Sequence, residues 1–317
     1  MADKTVVVIG ASGFIASWIV KKLLKRGYKV RGTVRNPDDV GKVEHLLALP
    51  GAKERLSLHK AELLDEGAYD QAVDGADYII HSATPVNIPK FEDPYKEVID
   101  PTVEGTLGPS TEAVIFSNRF IDKKEDAVVD ESWWSDSEFS LQNEWYDVAG
   151  KTLAEKSALD FAKSANFDVV SIMPSCVIGT MLQKCVSSVP WSNNQIQMLL
   201  KGIDPEDERK AVIRMCIDVE DVATAHILAV ENPSAEGRYL TSGCTMNNDQ
   251  LALFLSKHHP EFTSVVKPPM DGKNEKTFMK PTFKLSTQKV QNLGLRFTPI
   301  TKSVKKAVES LKQMNKI

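Results

Sequence analysis

Gly10, Gly13 and Ala16 stand three residues apart, directly behind the apolar run Val6-Val7-Val8-Ile9 and ahead of a second apolar stretch, Trp18-Ile19-Val20-Leu23-Leu24. A continuous β-branched run reads as a buried parallel strand. A tight turn from such a strand into a helix leaves the first helical N–H groups, at the positive end of the dipole, open to a phosphate. In Gly10-Ala11-Ser12-Gly13-Phe14-Ile15-Ala16 the first glycine permits the turn and Gly13 lets a diphosphate approach the backbone. The small Ala16 lets the helix lie close on the strand, and Ser12, Phe14 and Ile15 complete the expected binding turn. A glycine triplet alone is weak; the strand before it and the helix after it supply the context, with an ordinary strand-to-helix turn as the bland alternative.

The charges further along discriminate between the two nicotinamide dinucleotides. Tyr28 to Val34 reads as a second strand that delivers Arg35 to its C-terminal end. A site for the unphosphorylated dinucleotide places an acidic residue near there to hold the ribose 2′-OH, whereas this chain offers Arg31, Arg35 and then Lys42. That cluster suits a 2′-phosphate and points to NADPH; the alternative is three solvated surface cations.

The elements that must position these groups alternate. Leu56-Ser57-Leu58 leads into Ala61-Glu62-Leu63 as a short third strand, with Glu62 and Leu63 at the expected cofactor edge. Ala68 to Val73 resembles a small helix, and Asp77 to Ala83 a fourth strand. The end of that strand, Ala83-Thr84-Pro85, falls at the edge where open α/β sheets hold ligands.

At 317 residues the chain can bury a sizeable core without staples. Thirty-nine basic and 43 acidic residues leave a formal charge of -4, which implies no general attraction to nucleic acid or membrane and favours small-molecule partners. Cys176, Cys185, Cys216 and Cys244 lie far apart in sequence without C-x-x-C spacing, so neither a metal site nor a secreted disulfide framework is expected. No apolar run approaches membrane-spanning length and the N-terminus has no signal-like pattern, so a reducing, cytoplasmic setting is expected.

The segments Gly10-Ala-Ser-Gly-Phe-Ile-Ala, Thr33-Val-Arg-Asn-Pro, His81-Ser-Ala-Thr-Pro, Val103-Glu-Gly-Thr-Leu, Asp130-Glu-Ser-Trp-Trp-Ser-Asp, Lys151-Thr-Leu-Ala-Glu-Lys and Asn232-Pro-Ser-Ala-Glu-Gly-Arg-Tyr together resemble the extended short-chain dehydrogenase/reductases. The closest likeness is to the dihydroflavonol reductase and cinnamoyl-CoA reductase branch. It runs through Ile217 to His226 and Leu293-Gly-Leu-Arg-Phe, nearly the whole chain. The resemblance implies an α/β, Rossmann-type doubly wound parallel sheet that binds NADPH (residues 1–175 with parts of 210–245) and a smaller C-terminal substrate lobe, mainly 176–317. It also implies that Arg35 and Lys42 grip the 2′-phosphate and that Pro174 to Val177 line the nicotinamide.

The family's chemistry uses a tyrosine to protonate a carbonyl oxygen as hydride arrives, a lysine to lower the tyrosine pKa and hold the ribose, and a serine to orient the carbonyl. By resemblance these are Tyr146, Lys151 and Ser117, with Asn118 as runner-up for the last. The family interval of four places tyrosine and lysine on one helix face. Here it is five, and at about 100° per residue the fifth position lies roughly 140° around the axis from the first. Asp147 occupies the position four before the lysine. Two arrangements reconcile the interval: a π-bulge eased by Gly150, or a helix that begins at Asp147 as its N-cap with Tyr146 in the incoming loop. Otherwise Tyr146 is a packing aromatic.

Leu107-Gly108-Pro109 cuts short the helix that family members carry there, ahead of an expected strand Ala113 to Asn118. Members of the family the chain resembles often pair through helices on that side, so a monomer, a weak homo-oligomer or a different interface is expected. Trp133, Trp134, Phe139, Trp145, Met181, Val189, Trp191, Ile196 and Met198 supply apolar material for a pocket suited to an aromatic or aliphatic carbonyl compound. Asp218 is expected to cap a helix with an inward stripe at Val219, Val222, Ala223 and Ile227, with His226 structural; Lys267 to Lys276 reads as an exposed loop, and Ser303 to Lys316 as a final amphipathic helix. The expected function is NADPH-dependent reduction of an aryl or phenylpropanoid-like aldehyde or ketone. The rivals are a catalytically impaired NADP(H)-binding sensor or scaffold of the same fold, and an enzyme of nucleotide sugars, for which no second basic cluster is visible.

Overall fold

The computed structural model describes residues 3–62, 65–82, 93, 99, 127–165, 167–184, 189–203, 214–246, 248–262, 264, 266 and 283–317. The chain opens with β1 (Thr5–Ile9), α1 (Phe14–Lys25), β2 (Lys29–Val34), α2 (Val40–Leu47), α3 (Ala52–Arg55), β3 (Leu56–Lys60), α4 (Asp70–Val73) and β4 (Tyr78–His81). Its strands form a parallel sheet in the order β3-β2-β1-β4. β1 lies inside this sheet, and Val6, Val7 and Val8 are fully buried, as its unbroken apolar run requires. α1 covers the sheet through Ile19, Val20 and Leu23, which are inaccessible to solvent and share a core cluster with Val6 and Val8. The third strand ends at Lys60, so Glu62 lies just beyond it, and the small helix begins at Asp70 rather than Ala68.

The second half continues with β5 (Ala127–Val129), α5 (Ser137–Gln142), α6 (Tyr146–Ser164), β6 (Val170–Pro174), β7 (Cys176–Ile178), α7 (Trp191–Leu200), β8 (Arg214–Asp218) and α8 (Val219–Glu231). β9 (Gly237–Thr241), β10 (Cys244–Met246), α9 (Asn248–His258), β11 (Phe283–Leu285), α10 (Gln288–Asn292) and α11 (Ile300–Gln313) complete it. β6 pairs in parallel with β9, β11 with β5, and β7 with β8, while β10 runs antiparallel to β8. Cys176 and Cys244 both register against Cys216, so three thiols remote in sequence lie side by side across three strands.

Asp218 caps α8 by accepting from the Glu220 N–H at 2.8 Å, and Val219, Val222, Ala223 and Ile227 are fully buried, as expected from their spacing. The same aspartate accepts from the Ser303 hydroxyl at 2.7 Å, and Asp221 accepts from both the N–H and the hydroxyl of Thr298, so α8 anchors the start of α11. Val304, Ala307, Val308 and Leu311 of α11 are fully buried in a second core cluster with Met181, Ile196 and Leu255. His226 hydrogen-bonds through Nδ1 to the Val222 carbonyl at 2.9 Å, and burial lowers its pKa, as befits a structural residue. No described helix is long and apolar enough to cross a membrane, and no metal-binding cluster occurs among the described residues.

Candidate active site

The turn between β1 and α1 is built for close backbone approach. Gly10 has φ of 73°, a left-handed conformation that favours glycine. The turn is tied to β2 on one side: the Gly10 N–H donates to Thr33 Oγ1 at 3.1 Å and the Ala11 N–H to the Thr33 carbonyl at 2.9 Å. This contact depends on Gly32, where an added Cβ would lie 2.8 Å from the Ala11 methyl. Gly13 is the N-cap of α1 and offers no side chain to its first-turn N–H groups. Those donors, with Ser12, Gly13, Phe14 and Ile15 around them, suit the diphosphate of a dinucleotide.

Parallel pairing brings several expected cofactor residues to one edge of the sheet. Arg35 follows β2 and is exposed, without a hydrogen bond or ion pair to a described residue. The Ala61 N–H donates to the Val34 carbonyl at 3.0 Å, which places Glu62 beside the end of β2. Lys42, in the first turn of α2, forms an ion pair with Asp39 at 3.1 Å. Arg31 departs from expectation. Its guanidinium donates to the carbonyls of Ala72 and Asp74 at 3.1 and 2.5 Å, closing the end of α4, and so serves the fold rather than a 2′-phosphate cluster. Leu63, Ala83, Thr84, Pro85, Ser117 and Asn118 lie outside the described residues, as does the Lys267–Lys276 stretch.

The Tyr146–Lys151 interval is not repaired by either expected route. α6 begins at Tyr146 with Trp145 as its N-cap, so Asp147 is the second helical residue and not the cap. The Ala149 N–H donates to the Trp145 carbonyl at 3.0 Å, an ordinary i to i−4 bond, and the helix runs to Ser164 without a π-bulge. Tyr146 and Lys151 are both half-buried and five regular positions apart, while Asp147 is exposed.

A buried ion pair holds this helix. Arg238 of β9 donates to Glu155 through Nε and Nη2, at 2.8 and 3.0 Å, and through Nη1 to the carbonyls of Glu131 and Trp133 at 2.7 and 2.6 Å. Its guanidinium also stacks 3.7 Å from the centroid of Trp134, and Glu131 Oε1 accepts from the Leu240 N–H. One arginine thus gathers the Asp130–Asp136 loop, α6 and β9, and β9 pairs with β6 up to Pro174↔Thr241. Arg238 and Glu155 carry no local sequence signal of this role, because their pairing spans 83 residues.

Of the expected pocket residues, Met181 and Ile196 are core, and Val189 packs against the same cluster. Trp134 lies under Arg238, Phe139 and Trp145 meet edge to face at 5.7 Å, and Trp191 is 46% exposed. Pro174 ends β6, Val177 is buried in the core cluster beneath α1, and between them the Ser175 N–H donates to the Thr241 carbonyl at 2.9 Å. His81, at the end of β4, is paired in register with Ile9; burial lowers its pKa to about 4, so it is neutral at physiological pH.

Comparison with known proteins agrees with this architecture. Residues 6–108 match the NAD dependent epimerase/dehydratase family. The chain is 38% identical over 323 residues to the cinnamoyl-CoA reductase CAD2 of Medicago truncatula, covering 97% of this chain and 95% of that protein. It is 37% identical to the dihydroflavonol 4-reductase of Arabidopsis thaliana, over 93% of this chain and 78% of that protein. Among solved structures, Gre2 from Candida albicans in complex with NADPH superposes with a TM-score of 0.84 at 28% identity, covering 98% of this chain and 99% of that one. Vestitone reductase from alfalfa gives 0.78 at 27% identity, with 99% of each chain covered. The chain belongs to the extended short-chain dehydrogenase/reductases, in the group of cinnamoyl-CoA and dihydroflavonol reductases. It is an NADP(H)-using oxidoreductase with the α/β fold expected of that family.

Proposed function

We propose that the protein reduces an aryl or phenylpropanoid-like aldehyde or ketone with NADPH. The observation that carries this reading is the junction of an uncapped, glycine-shaped α1 N-terminus with an exposed Arg35 at the end of the neighbouring strand. The turn of Gly10, Ser12, Gly13, Phe14 and Ile15 takes the diphosphate, and Arg35 with Lys42 takes the 2′-phosphate. Glu62, Leu63, Ala83, Thr84, Pro85, Pro174 and Val177 are assigned to the remainder of the dinucleotide. Bound NADPH supplies the hydride that the carbonyl carbon accepts. Tyr146 gives its phenolic proton to the carbonyl oxygen, completing the alcohol, while Lys151 holds the ribose and favours the phenolate left behind. Ser117 orients the carbonyl. The likeness to cinnamoyl-CoA and dihydroflavonol reductases and the aromatic residues between Trp133 and Trp145 support this choice of substrate class.

One feature favours a second reading, an NADP(H)-binding sensor or scaffold without turnover: the five-residue interval persists in a regular helix, with Tyr146 and Lys151 roughly 140° apart. NADPH oxidation by the purified protein against aldehydes, ketones, dihydroflavonols and hydroxycinnamoyl thioesters, with NADPH binding measured in the same samples, separates the two. Turnover of any member supports the reductase. Tight binding with none consumed would sink it and leave the silent protein.

A further inference from the structure

We infer that Gln183 is a positioning residue of the dinucleotide site, a carboxamide strut that sets the diphosphate-binding turn from the segment following β7. Its side chain is nine-tenths buried. Nε2 donates to the Ser12 carbonyl at 2.9 Å and contacts Ser17 Oγ at 3.3 Å, across 171 and 166 residues of sequence. A carbonyl oxygen only accepts, so the amide orientation is fixed: the NH₂ faces Ser12.

What this contact controls follows from the planarity of the peptide unit. The Ser12 carbonyl and the Gly13 N–H belong to one peptide plane, so holding the oxygen sets the direction of that N–H, which meets the Gly10 carbonyl at 2.9 Å. Ser17 donates in turn to the Phe14 carbonyl at 3.0 Å, which extends the strut into the first turn of α1. Thr33 fixes the other side of the same turn through Gly10 and Ala11. Gln183 and Thr33 therefore hold the turn that leads into α1, whose uncapped first-turn N–H groups are the donors a diphosphate would meet.

The strut is delivered from a rigid base. Asn193 clasps Gly179 in both directions, at 3.2 and 2.8 Å. The Trp18 indole donates to the Thr180 carbonyl at 2.8 Å, and the Met181 N–H to Ser310 Oγ at 3.0 Å. This segment begins right after Cys176–Ile178, so the strut couples the turn to the chain that leaves Pro174 and Val177. Gln183 Oε1 is buried with no donor among the described residues, so the carboxamide meets the turn through its NH₂ alone.

The proposal rests on the reading that the Gly10–Ile15 turn holds the NADPH diphosphate. Its test uses the full chain with two probes, NADPH and adenosine 2′-monophosphate, the second of which lacks the diphosphate. Gln183→Met keeps the length and removes the donor. It is expected to weaken NADPH binding about tenfold, the loss expected for one to two hydrogen bonds, while binding of the monophosphate stays within about twofold. In turnover the loss is expected in KM for NADPH, with kcat at saturating cofactor nearly unchanged. Equal NADPH affinity in variant and wild type overturns the assignment. So does a parallel loss for both probes, which would mark a merely structural residue. Should Gln183→Met fail to fold, Ser17→Ala is measured the same way, with about a threefold loss expected for NADPH alone and no loss overturning the idea. Wild-type protein that binds the monophosphate but not NADPH refutes the diphosphate reading itself, a result distinct from a failure of the strut.

Discussion

Arg238 and Glu155 meet through two parallel hydrogen bonds while their side chains are only 7% and 2% exposed. Such a pair contributes little over an apolar replacement of both partners, but removing one leaves the other charge buried and alone. Arg238→Met is expected to destabilise the protein by about 3–5 kcal/mol in urea unfolding, and Arg238→Met with Glu155→Leu by clearly less than the sum of the two single changes. Additive losses would show that the two side chains do not act as a pair.

The cofactor preference is expected to rest on the end of β2. Arg35→Ala should weaken NADPH binding by at least about tenfold and leave NADH within about twofold, because only the former carries the phosphate that the guanidinium meets. Titrations of both dinucleotides check this, and an equal loss for both would remove the 2′-phosphate role.

In the reductase reading, Tyr146→Phe should lower kcat by roughly 10²-fold or more, the usual worth of a positioned proton donor. Adding Asp147→Tyr restores the interval of four on a helix whose regular register already includes position 147, and should recover part of the rate. If Tyr146→Phe leaves turnover untouched, Tyr146 is not the acid.

How far the chain was legible depended on whether the cause was local. The β1–α1 turn, the Asp218 cap and the α11 stripe could be read because each is fixed by neighbours within a turn or two. The mismatch at Tyr146 was also visible, but its outcome was not. Both imagined remedies were local, whereas Trp145 simply begins a regular helix whose buried Ala149, Ala154 and Glu155 set its orientation. The engagement of Arg31 with α4, the Arg238 cluster and the Gln183 strut left no local mark, since their partners lie 41 to 171 residues away.

Acid should weaken the fold through two imidazoles. Burial pushes His45 and His81 down to about 4, with Glu44 partly opposing the effect at His45. The unfolded chain binds protons at these groups near pH 6.5, so stability is complete above that value and falls as the pH drops from about 6.5 to 4. The loss is at most on the order of 3 kcal/mol for His81, and smaller for His45. Melting temperatures across this range, compared with those of His81→Phe, check the slope; an unchanged slope in the variant would exclude His81 as a source.

The row of thiols should be chemically quiet in the folded protein. Burial lifts Cys244 to about 11, and Cys176 and Cys216 are buried beside it. Near pH 8 the thiolate fraction of Cys244 is about a hundredfold below that of a free cysteine, so iodoacetamide should label it slowly until the protein unfolds. Rapid labelling of the native protein at Cys244, located by peptide mapping, would contradict this.

Gly32 has no functional group to offer a ligand, yet the 2.8 Å between its missing methyl and Ala11 sets how near β2 can bring Thr33 to the turn. Position 32 therefore acts on the turn by steric absence alone. The shape of the turn is inherited in part from an atom that is not there.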